Sequence, residues 1–449
     1  MTKRIPLRPI FRLMLVSGLV SLSSTASASA FQLWEQDGAS VGNYHAGRAA
    51  QGSDASIAYY NPAGMSLIKT QQLVIGDVFV SSNIKYHGTV STNSFLGGAP
   101  QTVTAQGGAF SQLPNLHYVA PINQKISFGL SVAAPFGLRT NYGRDTVLRY
   151  TATLSQLEVI DVSPALSFNI TNQFSVGAGI NAQRMSAEFN QVGTGGFGTD
   201  TDSINKAWDT AYGFHLGALF QFRPTSRVGL AYNSQVVHHV RGTSRFIGPL
   251  ADIANEVVGN PPGSITSTNA NAHLTLPAYT TLSGYHEINQ QWAVMGSVIY
   301  TQWNIFKALT LNNVASIAFN GPYPIPNTTG SVVIPQHYHN TWNVSVGTDY
   351  HANDKLTLRS GIGYDQSPTS NTYRNVQVPD NDRYALAFGG HYQATKAFGF
   401  DLGWTHLFML NRTPINPPTQ IAGVQATTTN GKVNASADVY GAQFTWSIA

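Results

Sequence analysis

From about residue 71 to the end of the chain, apolar and small or polar residues alternate with a period of two, segment after segment. Phe398, Phe400, Leu402, Trp404 and Phe408 stand against Gly399, Asp401, Gly403 and Thr405. The pattern returns with Phe174, Val176, Ala178 and Ile180, with Phe214, Leu216, Ala218 and Phe220, and finally with Tyr440, Phe444, Trp446 and Ile448. Successive side chains of an extended strand point to opposite faces, so this period specifies strands with one apolar face and excludes amphipathic helices. Only 10% of the 449 residues are Asp, Glu, Lys or Arg, against roughly 25% in an ordinary soluble domain. Mean hydropathy is nevertheless −0.09. After the first 30 residues no apolar run approaches the ~20 residues of a spanning helix, which rules out a polytopic helical membrane protein.

A soluble sandwich also alternates, so the connections carry the choice. Tight polar turns are read at Asn123-Gln124, Thr171-Asn172, Pro224-Thr225, Asn289-Gln290, Asn353-Asp354 and Thr395-Lys396. Longer segments run over 88–107, 139–147, 191–205, 247–270, 312–331, 367–380 and 411–432. Six short turns and seven long loops make fourteen strands. An even count with short turns at one end and long loops at the other is the signature of an outer-membrane barrel. Hydrocarbon cannot satisfy an open sheet edge, so such a sheet must close on itself. The expected fold is therefore all-β, a transmembrane antiparallel β-barrel of fourteen strands. Tyr300, Trp303, Tyr364, Tyr384, Tyr392 and Trp446 are read as interfacial girdles.

Residues 1–30 have a basic start with Lys3, Arg4, Arg8 and Arg12, an apolar stretch from Leu13 to about Leu22, and the ending Ala28-Ser29-Ala30. This is the order of a secretory signal peptide, with cleavage expected after Ala30. The formal charge of +4 and the pI of 9.1 belong mostly to this leader. The remaining chain is near neutral and offers no electrostatic footprint for nucleic acid. Cysteine is absent, which excludes disulfides, thiolate metal sites and cysteine nucleophiles. The chain divides into a signal peptide (1–30), an N-terminal hatch or plug (31–69) and the barrel (70–449).

The segment 31–69 breaks the alternation: Phe31-Gln32-Leu33-Trp34 is followed by Gly38, Gly42, Gly47 and Gly52, then by Tyr59-Tyr60-Asn61-Pro62-Ala63-Gly64-Met65. Irregular backbone is tolerated at membrane depth only inside protein, so the segment is expected in the lumen as a plug, the alternative being a disordered periplasmic tail. Phe31-Gln32-Leu33 with Asn61-Pro62-Ala63 resembles the hatch of the FadL family of outer-membrane long-chain fatty acid transporters. Further matches are Leu113-Pro114-Asn115-Leu116-His117-Tyr118 with Ala120-Pro121-Ile122-Asn123, and Leu276-Pro277 leading to Tyr300-Thr301-Gln302-Trp303. The fullest runs from Arg359 through Gly361, Asp365, Ser367-Pro368 and Arg374 to Pro379-Asp380-Asn381-Asp382-Arg383. The resemblance implies passive uptake of a hydrophobic ligand across the outer membrane of a Gram-negative bacterium. It also implies an outer groove, a tighter pocket beside the N-terminus at Phe31 and Leu33, and sideways exit through a wall gap. That gap is expected where the third strand kinks, next to Asn61, Pro62 and Ala63.

The residues themselves add candidates. Pro135 in Ala133-Ala134-Pro135-Phe136-Gly137 cannot donate to a ladder, so it marks either a local opening or the strand's outer end. Leu250, Ile253 and Val257 fall at helical spacing on an outer loop and suit either capture of an apolar chain or packing against neighbouring loops. By parity Arg383 and Arg359 face the lumen, where they bind a carboxylate or pair with acids such as Asp365, Asp380 or Asp382. Arg184 falls on the outward parity. The lysine used by family members after strand nine is not matched cleanly, since Lys307 directly follows Phe306. This keeps monoaromatic or aliphatic hydrocarbons as alternative cargo beside long-chain fatty acids. Gly38-Ala39-Ser40-Val41-Gly42 fits a nucleophile-elbow pattern but lacks the preceding strand. No catalytic residue, metal or cofactor is assigned. The expected partners are a hydrophobic small molecule and outer-membrane lipid, with the protein a monomer, and an adhesin is the reading from another class.

Overall fold

The computed structural model describes residues 30–93, 99–195, 199–409, 412–422 and 425–448. The leader up to residue 29 lies outside the described residues. The barrel strands are β1 (Gln71–Asn93), β2 in two pieces (Gln101–Gln106 and Phe110–Pro121), β3 (Ile126–Asn141), β4 (Leu154–Asn169), β5 (Phe174–Gly193) and β6 (Thr201–Arg223). Then come β7 (Ser226–Asn233 and Val236–Ile247), β8 (Ile265–Leu276 and Tyr279–Glu287), β9 (Trp292–Thr301) and β10 (Thr341–His351). The last four are β11 (Leu356–Asp365), β12 (Arg383–Gln393), β13 (Phe398–Met409) and β14 (Gln425–Ile448). Each pairs antiparallel with its neighbours, and Gln71 opposite Ile448 closes the fourteen-stranded cylinder between β1 and β14.

The turns show why the chain reverses where it does. Asn123, Asn289 and Asn353 each turn their side-chain oxygen onto backbone N–H groups two and three residues on, and Thr171 and Thr395 do the same with a hydroxyl. These side chains replace the ladder where it must stop. At the other end β5 and β6 run on to Gly193 and Thr201, so most of 191–205 is strand and not loop. The segment 312–331 is likewise largely a hairpin, Ala308–Asn320 with Tyr323–Pro335.

Parity sorts the two faces as lipid demands. Leu402 is 68% exposed while its neighbour Asp401 is 2% exposed. Phe214, Leu216, Phe220, Ile362, Phe388 and Phe400 also look outward. Tyr384, Tyr392 and Trp446 stand on this outer face as the girdle reading requires. Trp303 does not: it is 0% exposed, on a short turn (Trp303–Ile305) after β9, and faces into the protein. The strand parity that places the others ends at Thr301.

Residues 31–67 are almost entirely buried. They form short helical turns at Ser40–Asn43, Arg48–Gln51, Ile57–Tyr60 and Pro62–Leu67, which touch wall strands on both sides. Glycine allows the approach. A Cβ on Gly42 would lie 2.9 Å from the Cα of Gly389 on β12, and one on Gly217 of β6 would lie 2.0 Å from Asn61 Oδ1. The segment's internal charges are matched as well. Arg48 pairs with Asp37 and approaches Asp54 at 3.8 Å. Burial alone would raise the Asp37 carboxyl, but the Arg48 guanidinium outweighs it and holds Asp37 well below the usual carboxylate range.

Candidate ligand channel

The wall is interrupted at a seam between β2 and β3. β2 and β3 pair only from Leu116 opposite Val132 to Pro121 opposite Ser127. Above this, β2 stays with β1 as far as Phe110 opposite Ser81, while β3 follows β4 to Asn141 opposite Leu154. Between Ala133 and Phe136 the β3–β4 register slips by one residue, a bulge centred on Ala134 and Pro135. Proline offers no N–H and a bulge bends its strand, so the chain leaves its neighbour here. Pro135 therefore lies mid-strand and does not mark the outer end of β3.

The N-terminal segment occupies the vacated edge. Leu33 N–H donates to Pro135 O at 2.9 Å, and Gly137 N–H donates to Phe31 O at 2.8 Å. The Gln36 amide brackets Ala134, accepting from its N–H at 2.9 Å and donating to its carbonyl at 3.0 Å. Backbone groups that no strand pairs are thus satisfied by side chain and segment together.

Beside this seam lies a cavity of about 880 Å³. Its inner lining includes Ala30, Leu33, Val159, Val378, Leu407 and Met409. Its outer lining includes Ile75, Phe110, Leu116 and Ile160, residues of the lipid-facing parity. The cavity therefore passes through the wall. Arg139 and Glu158 stand on its outer lip. Sequence reasoning missed both: Arg139 falls in the segment 139–147 expected as loop, whereas β3 runs on to Asn141 past a bulge that inverts its parity, with Ser131 and Ala133 below it buried, as are Phe136 and Thr140 above it.

Next to the cavity, Phe31 is 3% exposed and sits 4.8 Å from Trp303, 5.7 Å from Phe306 and 6.1 Å from Phe136, ring centre to ring centre. Leu157, Met185, Val240, Leu274, Leu309 and Tyr338 complete this apolar cluster. Arg383 lines the cavity, but its guanidinium donates to Asp365 through Nε at 3.0 Å, and Trp34 Nε1 donates to the same oxygen at 3.1 Å. Arg359 lies outside the cavity lining, buried between Asp401 and Asp349. Two acids also line the chamber. Burial pushes Asp380 up to about 7, while its Oδ2 accepts from Ala30 N–H at 2.7 Å and from Ser367 at 2.6 Å. Burial likewise raises Glu35.

Asn61, Pro62 and Ala63 lie on the turn that packs against β3 and the three strands following it, β4 to β6. Asn61 Nδ2 donates to Ala49 O at 2.7 Å and to Ala218 O of β6 at 3.0 Å, while Ser167 and Ser175 donate to Ala63 O. Ser40 of the nucleophile-like pentapeptide sits 3.1 Å from the Tyr60 hydroxyl, inside the segment. On the outer loops, helix Pro249–Val257 buries Leu250 with Ala251 and Ala254 against Phe246, Ala315 and Ile317. Ile253 and Val257 are 40% and 42% exposed, so the expected stripe offers two side chains and not three.

The family described as "Outer membrane protein transport protein (OMPP1/FadL/TodX)" matches residues 19–448. The chain belongs to this family. It is 29% identical to outer membrane protein P1 of Haemophilus influenzae over 88% of this chain and 89% of the relative. It is 25% identical to the long-chain fatty acid transport protein of Escherichia coli K12 over 86% and 90%. Among solved structures, a Pseudomonas aeruginosa FadL homologue superposes with a TM-score of 0.80 at 26% identity, covering 94% of this chain and all of that one. The Pseudomonas putida toluene transporter TodX shares the fold, with a TM-score of 0.66 at 18% identity over 94% and 100%. The protein is an outer-membrane transporter of hydrophobic compounds, and not an enzyme.

Proposed function

We propose that the protein takes up long-chain fatty acids, with residues 31–69 acting as a hatch and the seam beside Pro135 as the exit. The observation that carries this reading is the cavity that crosses the wall, with apolar residues on both its inner and outer linings. Its 880 Å³ falls within the roughly 300–1,000 Å³ of small-molecule sites. The acyl chain enters the cluster around Phe31 after touching Ile253 and Val257, and leaves sideways into lipid past Leu116 and Ile160. Support for a fatty acid comes from the named activity of the Escherichia coli relative and from the higher structural similarity to the FadL homologue.

One observation favours uncharged hydrocarbons as a second cargo. The guanidinium at the cavity is already neutralised by Asp365, and Glu35 and Asp380 line the same space. A buried carboxylate is costly without a free partner, so a fatty acid here binds as its protonated form or keeps its headgroup at Arg139 on the lip. The test is binding of a long-chain fatty acid and of a monoaromatic hydrocarbon to the detergent-folded protein, with Arg139→Ala and the charge-conserving pair Arg383→Gln/Asp365→Asn as variants. Weaker fatty-acid binding in Arg139→Ala supports the lip as headgroup site. Hydrocarbon binding alone, untouched by either change, moves the cargo to the second class. Binding of neither would leave an adhesin as the better reading.

A further inference from the structure

The outward face of β5 to β8 carries a basic patch that transport does not use. Register aligns it: Arg184 on β5 lies opposite Thr210 on β6, Trp208 opposite Arg241 on β7, Ile204 opposite Arg245, and His239 opposite His273 on β8. All four strands turn these side chains away from the lumen. Below them the same face is apolar, with Ile180 at 59% exposure, Tyr212 at 71%, Phe214 and Leu216. Ten residues separate Phe174 at the turn end of β5 from Arg184. At about 3.3 Å per residue and a tilt near 40° they climb about 25 Å, the height of the apolar band of such barrels. Arg184 thus stands where hydrocarbon ends on the loop side, with Arg241 and Arg245 higher.

The charge on this face is unbalanced. Among the described residues Arg184, Arg241 and Arg245 make no salt bridge. The nearby acids are engaged: Glu188 pairs with Lys206 at 3.2 Å, Glu158 accepts from Gln156, and Asp209 accepts from the His239 backbone and faces His238 at 3.3 Å. A second observation sharpens the ligand. Bulges beside Ser267 and Leu311 open a concavity of about 500 Å³ between β7, β8 and the outer hairpin. Its walls are Asn269, Asn271, Asn312 and Asn313, with His239, Arg241 and His273. Amide side chains both donate and accept, which suits sugar hydroxyls, and guanidinium groups suit phosphate.

We infer that this face is a binding site for a phosphorylated glycolipid of the outer leaflet, of the lipid A class. Its phosphates meet Arg184, Arg241 and Arg245, its sugars the asparagine-lined hollow, and its acyl chains Tyr212, Phe214 and Leu216. The site lies on the outside of the cylinder and does not depend on what passes through the lumen.

The test is titration of the detergent-purified protein with diphosphorylated lipid A, read by native mass spectrometry. Dephosphorylated lipid A, phosphatidylglycerol and inorganic pyrophosphate serve as comparison probes. The triple variant Arg184→Glu/Arg241→Glu/Arg245→Glu is expected to weaken lipid A binding about tenfold or more, and Lys85→Glu/Lys432→Glu on β1 and β14 to leave it unchanged. Retained heat-resistant mobility shows that the triple variant is folded, and the milder Arg241→Ala alone should still weaken binding severalfold. Equal affinity of wild type and both variants would overturn the site. So would equal binding of dephosphorylated lipid A. Equal binding of phosphatidylglycerol would reduce it to a general anionic face, and binding of pyrophosphate alone would remove the lipid from the inference.

Discussion

The N-terminal segment holds to the barrel in two unlike ways. From Asp37 to Leu67 it is fastened by side-chain hydrogen bonds, by the Arg48 ion pairs and by glycines that admit backbone against backbone, as at Gly217 with Asn61 and Gly389 with Gly42. From Ala30 to Gln36 it is fastened chiefly to the seam, through Leu33, Phe31 and Gln36 on the edge of β3, with aromatic contacts behind. The first half is held against the wall at fixed places. The second borders the cavity and the apolar cluster around Phe31. Anchoring through close-packed glycines and ion pairs, and docking on a strand edge beside the cavity, are kept on separate stretches of one short segment.

The widest separation of the two halves comes from attacking the anchor. Gly217→Val drives a side chain into Asn61, and overpacking of this kind costs about 1–3 kcal/mol or more. It is expected to lower the thermal midpoint and to open ion conductance in planar bilayers, with Asn61→Ala doing the same more mildly. Sealed bilayers with unchanged stability would show that the anchor does not hold the segment. Phe31→Ala comes next. It removes a side chain that touches Trp303, Phe306 and Phe136, a loss of about 3–5 kcal/mol where such a ring is fully buried. Weaker ligand binding without new conductance is expected, and conductance equal to that of Gly217→Val would erase the distinction.

Leu33→Pro removes one donor to Pro135 O, about 1 kcal/mol of hydrogen bonding. It should change the rate of ligand release into lipid by severalfold while the melting curve barely moves. The smallest effect is on pH. Asp380 has its folded value raised to about 7 from near 3.8, so the folded state holds the extra proton between these values. Stability from this group is fully present below about pH 4, declines between pH 4 and pH 7, and is lost above it. Protection of residues 31–36 against hydrogen exchange, corrected for the intrinsic rise of exchange with pH, is therefore expected to fall from pH 4 to pH 7, and Asp380→Asn to remove that dependence.

The cylinder was legible because alternation, turn chemistry and loop asymmetry each report on single strands, and lipid forces their closure. Asn123, Thr171, Asn289, Asn353 and Thr395 announced their turns directly. The channel was less legible. Trp303 looked like a girdle residue, yet its strand had already ended at Thr301, and only the packing around Phe31 gives it a place. Arg139 fell in a segment expected as loop, and the docking of Asn61 on Ala218 of β6 leaves no local pattern. Arg383 and Arg359 were placed inward by parity, and their pairing with Asp365, Asp349 and Asp401 needed the structure.

The bulge at Ala134 and Pro135 acts on β3 as a frameshift acts on a message. Everything after it is read in the other phase, so a sealed face becomes an open one without a change of composition. Removing one residue there restores the original phase, swings Arg139 inward, and is the smallest edit that tests the proposed exit.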